Sequence, residues 1–161
     1  MAAKKSAVDE KDIKIIVRNR KARFLYEIFD TYEAGIVLQG SEVKSLRAGK
    51  VNISDSYATE QGGEFWLINL HISAYDHASV DPHDPLRKRK LLLHRRQIQR
   101  LTARVKEQGL ALVPVRLYFR EGKAKVELGL GRGKKKYDKR NTIAKRDADR
   151  DLERHKAGRD F

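Results

Sequence analysis

The chain has 161 residues, 40% hydrophobic and 36% charged, which is enough for one domain with a core plus an appendage. Its 36 Lys and Arg against 22 Asp and Glu leave a net charge of +14, so the expected partners are polyanions, nucleic acid ahead of an anionic membrane. The absence of cysteine excludes disulfides and thiolate metal sites, no apolar run reaches membrane-span length, and the opening MAAKKSAVDEKDIK lacks the apolar stretch of a secretory signal, so a cytoplasmic location is expected.

Residues 1–18 read as a flexible N-terminal arm ending in the apolar run Ile13, Ile15, Ile16 and Val17. RFLYEIFDTYEAGIVLQ reads as two strands about a turn near Asp30–Tyr32, with Phe24, Tyr26 and Ile28 on one face. GSEVKSLRAG predicts a short helix, N-capped by Ser41 and stopped at Gly49. SYATEQGGEFWLINLHISAY predicts a hairpin turning at Gly62-Gly63, with Trp66 in the core beside Leu67 and Ile68. VDPHDPLRKRK is a loop punctuated by Pro82 and Pro85, and KLLLH a short buried strand or a lead-in to a helix. In HRRQIQRLTARVKEQG, Ile98, Leu101 and Val105 follow helical spacing and Gly109 sits past the end. LALVPVRLYF and KAKVELGL predict a hairpin about Glu121-Gly122, with Val126, Leu128 and Leu130 alternating with Lys125, Glu127 and Gly129. Many short strands with two modest helices predict a mainly β fold, a small closed or nearly closed antiparallel barrel over residues 19–131.

Beyond that point the apolar supply ends. GLGRGKKK lacks nucleotide-cradle spacing and reads as a flexible exit from the last strand. Residues 132–161 hold twelve bases and six acids, with a narrow stripe of Ile143, Ala144, Ala148 and Leu152. Opposite pairs such as Asp151–Arg154 are offset by like pairs such as Arg146–Arg150, each worth about 0.2–0.5 kcal/mol. The expectation is a basic tail that is disordered alone and helical on an anionic surface.

No nucleophile, base and orienter converge in the sequence, so an enzyme is not expected, nor a cofactor. DPHDP brings Asp81, His83 and Asp84 together in the manner of a nuclease site, but its prolines favour a rigid surface turn. The stronger signal is Arg87–Lys106, with nine bases and no acid. In RKRKLLLHRR the leucines are expected to anchor the segment while the Lys and Arg side chains face outward to phosphate. Structured RNA fits better than duplex DNA, because no helix-turn-helix or basic zipper is present to read a major groove.

Several segments, taken in chain order, resemble the SmpB family of bacterial SsrA-binding proteins: NRKARFLYEI, EAGIVLQGSEVKSLRAGKVNISDSYA, HDPLRKRKLLLHRRQI, LVPVRLYFREGKAKVELGLGRGKKKYDKR and KRDADRD. LQGSEVKSLRAGK and GKKKYDKR are the most specific. The resemblance implies an OB-like barrel that binds the tRNA-like domain of transfer-messenger RNA (tmRNA) and enters stalled ribosomes, so that the nascent chain is tagged and the ribosome released. It implies a monomer when free, with no membrane partner, and alanyl-tmRNA carried with EF-Tu and GTP as an indirect one. The alternative is a ribosomal or ribosome-assembly protein with an OB barrel that binds rRNA. By resemblance, Asn19, Lys21 and Arg23 fall near the RNA elbow, Glu33 matches an acidic residue needed for RNA binding, and Leu92 and His94 match an RNA-contacting segment. Lys44, Arg87, Arg89, Lys90 and Lys134 complete the expected tmRNA-binding set. Lys135, Lys136, Tyr137, Asp138, Lys139 and Arg140 match the motif that acts in the decoding site, followed by Ile143, Lys145, Arg146 and Arg150 along the mRNA channel. Pro82 and Ala111 depart from the family's usual Asn and Thr.

Overall fold

The computed structural model describes residues 12–74, 83–134 and 136–157. Its elements run β1 (Ile13–Arg18), α1 (Arg20–Leu25), β2 (Tyr26–Ile36), α2 (Gly40–Arg47), β3 (Val51–Asn52), β4 (Tyr57–Gln61) and β5 (Glu64–Ile68). They continue through β6 (His71–Ile72), β7 (Arg89–Leu92), α3 (Arg95–Gln108), β8 (Ala111–Arg120), β9 (Lys123–Gly133) and α4 (Lys136–Ala157). The fold is mainly β. Seven strands hydrogen-bond in the order β1-β8-β4-β5-β7-β2-β9, β8 also pairs with β9, and β3 and β6 form a separate pair.

Alternation along the strands builds the core. Phe65, Leu67, Leu91, Leu112, Leu117, Val126, Leu128 and Leu130 point inward and are at most 2% exposed. Full burial of such a side chain contributes about 1.5–3 kcal/mol. Helix α3 inserts Leu101 fully, with Ile98 and Val105 packed beside it. The helix stops at Gly109, whose φ of 60° ends it in the left-handed conformation. The β4–β5 turn at Gly62-Gly63 and the β8–β9 turn at Glu121-Gly122 fall where the sequence puts them.

Several local expectations are corrected. The apolar run of the supposed arm is strand β1, whose Ile13–Arg18 register against β8 brings it into the sheet. RFLYEIFDTYEAGI is not two strands. Asn19 caps the short helix α1, which takes Phe24, and β2 then runs unbroken for 11 residues. Asp30, Thr31 and Tyr32, where a turn is expected, pair in regular register with Leu130, Gly129 and Leu128, and a register shift just before them, between Ile28 and Asp30, leaves Phe29 41% exposed. Helix α2 begins at Gly40, with Glu42 reaching back to the Gln39 amide at 2.8 Å, so Ser41 is not its cap.

Trp66 faces outward, because its neighbours Phe65 and Leu67 take the inward positions of β5. The glycines after Leu128 are not a flexible exit either. A Cβ on Gly131 would lie 2.3 Å from the Glu27 carbonyl oxygen, so a bare backbone is what lets β9 approach β2 so closely.

Candidate nucleic-acid interface

The outward face of β7, β2, β9 and β8 gathers the polar side chains that the core rejects. Gly35 stands opposite Leu92, and a Cβ there would lie 3.2 Å from the Leu92 Cβ, so the glycine lets Leu92 lie across β2 while 54% exposed. Two residues before it on the same face, Glu33 accepts a hydrogen bond from the Tyr118 hydroxyl and two from Arg120 Nη1, at 3.1 and 3.2 Å. Burial, and then the Glu33 carboxylate, push the Tyr118 phenol well above its ordinary value, so it remains a neutral donor. The Glu33 side chain stays 23% exposed and Arg120 39%, leaving an acceptor and a cation for a partner. Arg116 donates to Glu127 at 2.8 Å and lies 5.3 Å from the Tyr118 ring.

This face runs into two clefts that share Arg23, Val115 and Glu127. One, of about 280 Å³, adds Arg18, Arg20 and Arg116, and the other, of about 370 Å³, adds Tyr26 and Lys134. Arg23 and Lys134, far apart in sequence, meet here because the Lys134 amide donates to the Leu25 carbonyl at 2.8 Å. The first cleft sets four arginines against Glu127, which suits a phosphate backbone, while the second balances Arg23 and Lys134 against Glu27 and Glu127.

The expected residues divide by burial. Lys21 is exposed, 3.7 Å from Asp55; Lys44 is exposed on α2; and His94 is exposed before α3, its amide held by Gln97 at 3.2 Å. Lys90 is 40% exposed and 3.9 Å from Glu64. Asn19, however, is only 4% exposed. Its carboxamide donates to the Pro114 carbonyl at 2.8 Å and accepts from the Ala22 amide at 3.2 Å, so it anchors α1 to β8.

Arg89 corrects the outward-facing reading most sharply. It is fully buried and binds the Glu42 carboxylate, the Leu70 carbonyl and, at 3.2 Å, the Pro85 carbonyl. Arg87, 30% exposed, reaches the same carboxylate. Burial alone would raise the Glu42 carboxyl, but the Gln39 amide and the two guanidiniums outweigh it and hold it below its ordinary value. Burial pulls the Arg89 guanidinium down while Glu42 opposes the shift.

His83 is also buried, contrary to the surface-turn reading. Its Nε2 lies 2.8 Å from the Ile72 carbonyl, which can only accept, so Nε2 carries the proton and Nδ1 accepts from the Ser41 hydroxyl at 2.9 Å. Both ring nitrogens serve the fold. Asp81 and Pro82 lie outside the described residues. Among the described residues no group of three His, Asp or Glu could hold a metal ion.

In the tail, residues 136–157 are helical, and Arg140, Ile143, Lys145, Arg146 and Arg150 are exposed. The Arg146 guanidinium lies 5.6 Å from the Phe24 ring of α1. Lys135 and the side chains of Lys136, Tyr137, Asp138 and Lys139 lie outside the described residues. Sequence reading missed Arg18, Arg20, Arg116, Tyr118 and Arg120. The last three stand at period two in VRLYFR, a signal that the alternation of β8 could have yielded.

A cationic cleft flanking a polar sheet face, on a small β fold with a basic helical appendage, defines a protein of the polyanion-binding class. The sequence model of the SmpB protein family matches residues 16–158. The chain belongs to that family. It is 55% identical over 146 residues to the SsrA-binding protein of Desulforudis audaxviator, covering 91% of this chain and 95% of that one. It is 57% identical over 141 residues to that of a Geobacillus species, covering 88% and 91%. A chain in a solved structure described as "tmRNA-SmpB: a journey to the center of the bacterial ribosome" is 55% identical, with a TM-score of 0.63, covering 74% of this chain and 85% of that one.

Proposed function

We propose that the protein binds tmRNA and brings it to stalled ribosomes for trans-translation. The observation that carries this reading is the co-linear match, at 55% identity, to a chain of a tmRNA-SmpB structure concerned with the bacterial ribosome. The sheet pairings support an OB-like barrel, since β8 joins both β4 and β9. Its outward face, from Leu92 through Glu33 to the Arg23–Lys134 cleft, holds the tRNA-like domain. Cations meet phosphates there, and the Glu33 carboxylate accepts from base edges or 2′-hydroxyls.

The tail acts separately. Helix α4 lies in the empty mRNA channel, where Lys136, Tyr137, Asp138, Lys139 and Arg140 meet the decoding site and Arg146 and Arg150 meet rRNA phosphate. The test is to sequence the RNA that co-purifies with the tagged protein. One RNA with a tRNA-like end, at far less than one protein per ribosome, is expected. Stoichiometric ribosomal RNA would instead mark a ribosomal component.

A further inference from the structure

Trp66 lies on the outward side of β5, in register with Thr59 on β4 and Lys90 on β7. Its indole N–H donates to the Gln61 carbonyl at 3.3 Å, which fixes the orientation of the ring. The Lys88 ammonium stands 4.6 Å from the ring centroid and donates to Gln61 Oε1 at 2.9 Å. Lys88 is exposed, and Lys90, beside the indole, is 40% exposed. A half-buried indole that packs no core, with Lys88 over its ring and Lys90, 3.9 Å from Glu64, in register beside it, has a shape that matches a base and cations that match its phosphates. The ring presents a π face to a base, and the ammonium groups lie within reach of the flanking phosphates. Loops of structured RNA supply such unpaired bases, and every base has a face to stack.

We propose that the Trp66 ring is a stacking platform for one unpaired base of the bound RNA, and that Lys88 leaves the ring for the adjacent phosphate when the base arrives. Lys90 contributes a second phosphate contact. The platform extends the RNA-binding face past Leu92 onto β5, and it rests on the RNA-binding reading above.

Trp66 is the single tryptophan of the chain, so intrinsic fluorescence reports on this ring alone. The probe is a transcript of the tRNA-like domain of tmRNA, with binding followed independently by anisotropy of a dye on the RNA. Tryptophan emission is expected to be quenched in step with binding. Trp66→Ala should weaken binding about five-fold or more, with Trp66→Phe restoring most of it. Lys88→Ala should flatten the dependence of log affinity on log salt by about one unit. RNA that binds without quenching, or binds equally well to wild type, Trp66→Ala and Trp66→Phe, overturns the platform and leaves the RNA-binding reading intact. Failure of the transcript to bind wild type overturns both. If Trp66→Ala does not fold, wild-type quenching and the Trp66→Phe affinity still decide.

Discussion

Glu42 is the residue on which the fold turns. It is fully buried in α2 and meets the guanidiniums of Arg87 and Arg89. Removing one partner of a buried pair leaves the other uncompensated, so Glu42→Ala should lower stability by about 3–5 kcal/mol, read from a urea midpoint. Its carboxyl is held below the ordinary value of 4.5, so the unfolded chain takes up a proton first as pH falls. The stability that Glu42 contributes is therefore present above about pH 4.5 and lost as pH falls through the lower folded value. Glu42→Gln should flatten the acid limb of a stability–pH curve, and an unchanged limb would assign acid sensitivity elsewhere. Loss of RNA binding in Arg89→Ala would follow from a damaged core, and the same urea midpoint would expose it. The sequence contained the clue, since Arg89 is two residues from buried Leu91 and shares its face, whereas Lys88, Lys90 and Leu92 take the other. Charge alone hid it, because RKRK reads as four equivalent cations until the strand's phase is known.

Among the elements, legibility followed the strength of local punctuation. Paired glycines fixed the β4–β5 hairpin, and Gly109 fixed the end of α3. Strand β2 is hard to read because the register shift at Phe29 changes the phase of its alternation, and α1 because an Asn cap starting a six-residue helix gives little periodicity. Gly131 was misread because its reason is non-local, the approach of the Glu27 backbone. Gly131→Ala should force β9 from β2 and lower the thermal midpoint clearly, whereas Gly133→Ala, with nothing within 4 Å, should not. Helix α4 was anticipated only as a bound state. Its Asp151–Arg154 pair, at 3.9 Å with both side chains at least 69% exposed, adds little stability. With the Arg146–Phe24 contact worth about 0.5–1 kcal/mol at most, cutting the chain after Lys134 should change the unfolding free energy by no more than about 1 kcal/mol. A larger loss would mean that α4 is part of the folded domain.

At the scale of the whole molecule, most of the +14 charge sits in two segments, Arg87–Lys106 with nine bases and no acid, and residues 132–161 with twelve bases against six acids. Family and partner were legible because LQGSEVKSLRAGK and GKKKYDKR are specific, while the face itself needed four strands brought together to become visible. Binding of the tRNA-like domain should weaken steeply with salt, as phosphate contacts require. The central claim is that the sheet face holds tmRNA and the tail acts on the ribosome. The most direct measurement compares full-length protein with Asp138, Lys139 and Arg140 all replaced by Ala, scoring tmRNA affinity and nascent-chain tagging on stalled ribosomes side by side. The account predicts nearly unchanged affinity and abolished tagging. Weakened affinity together with sustained tagging would contradict it.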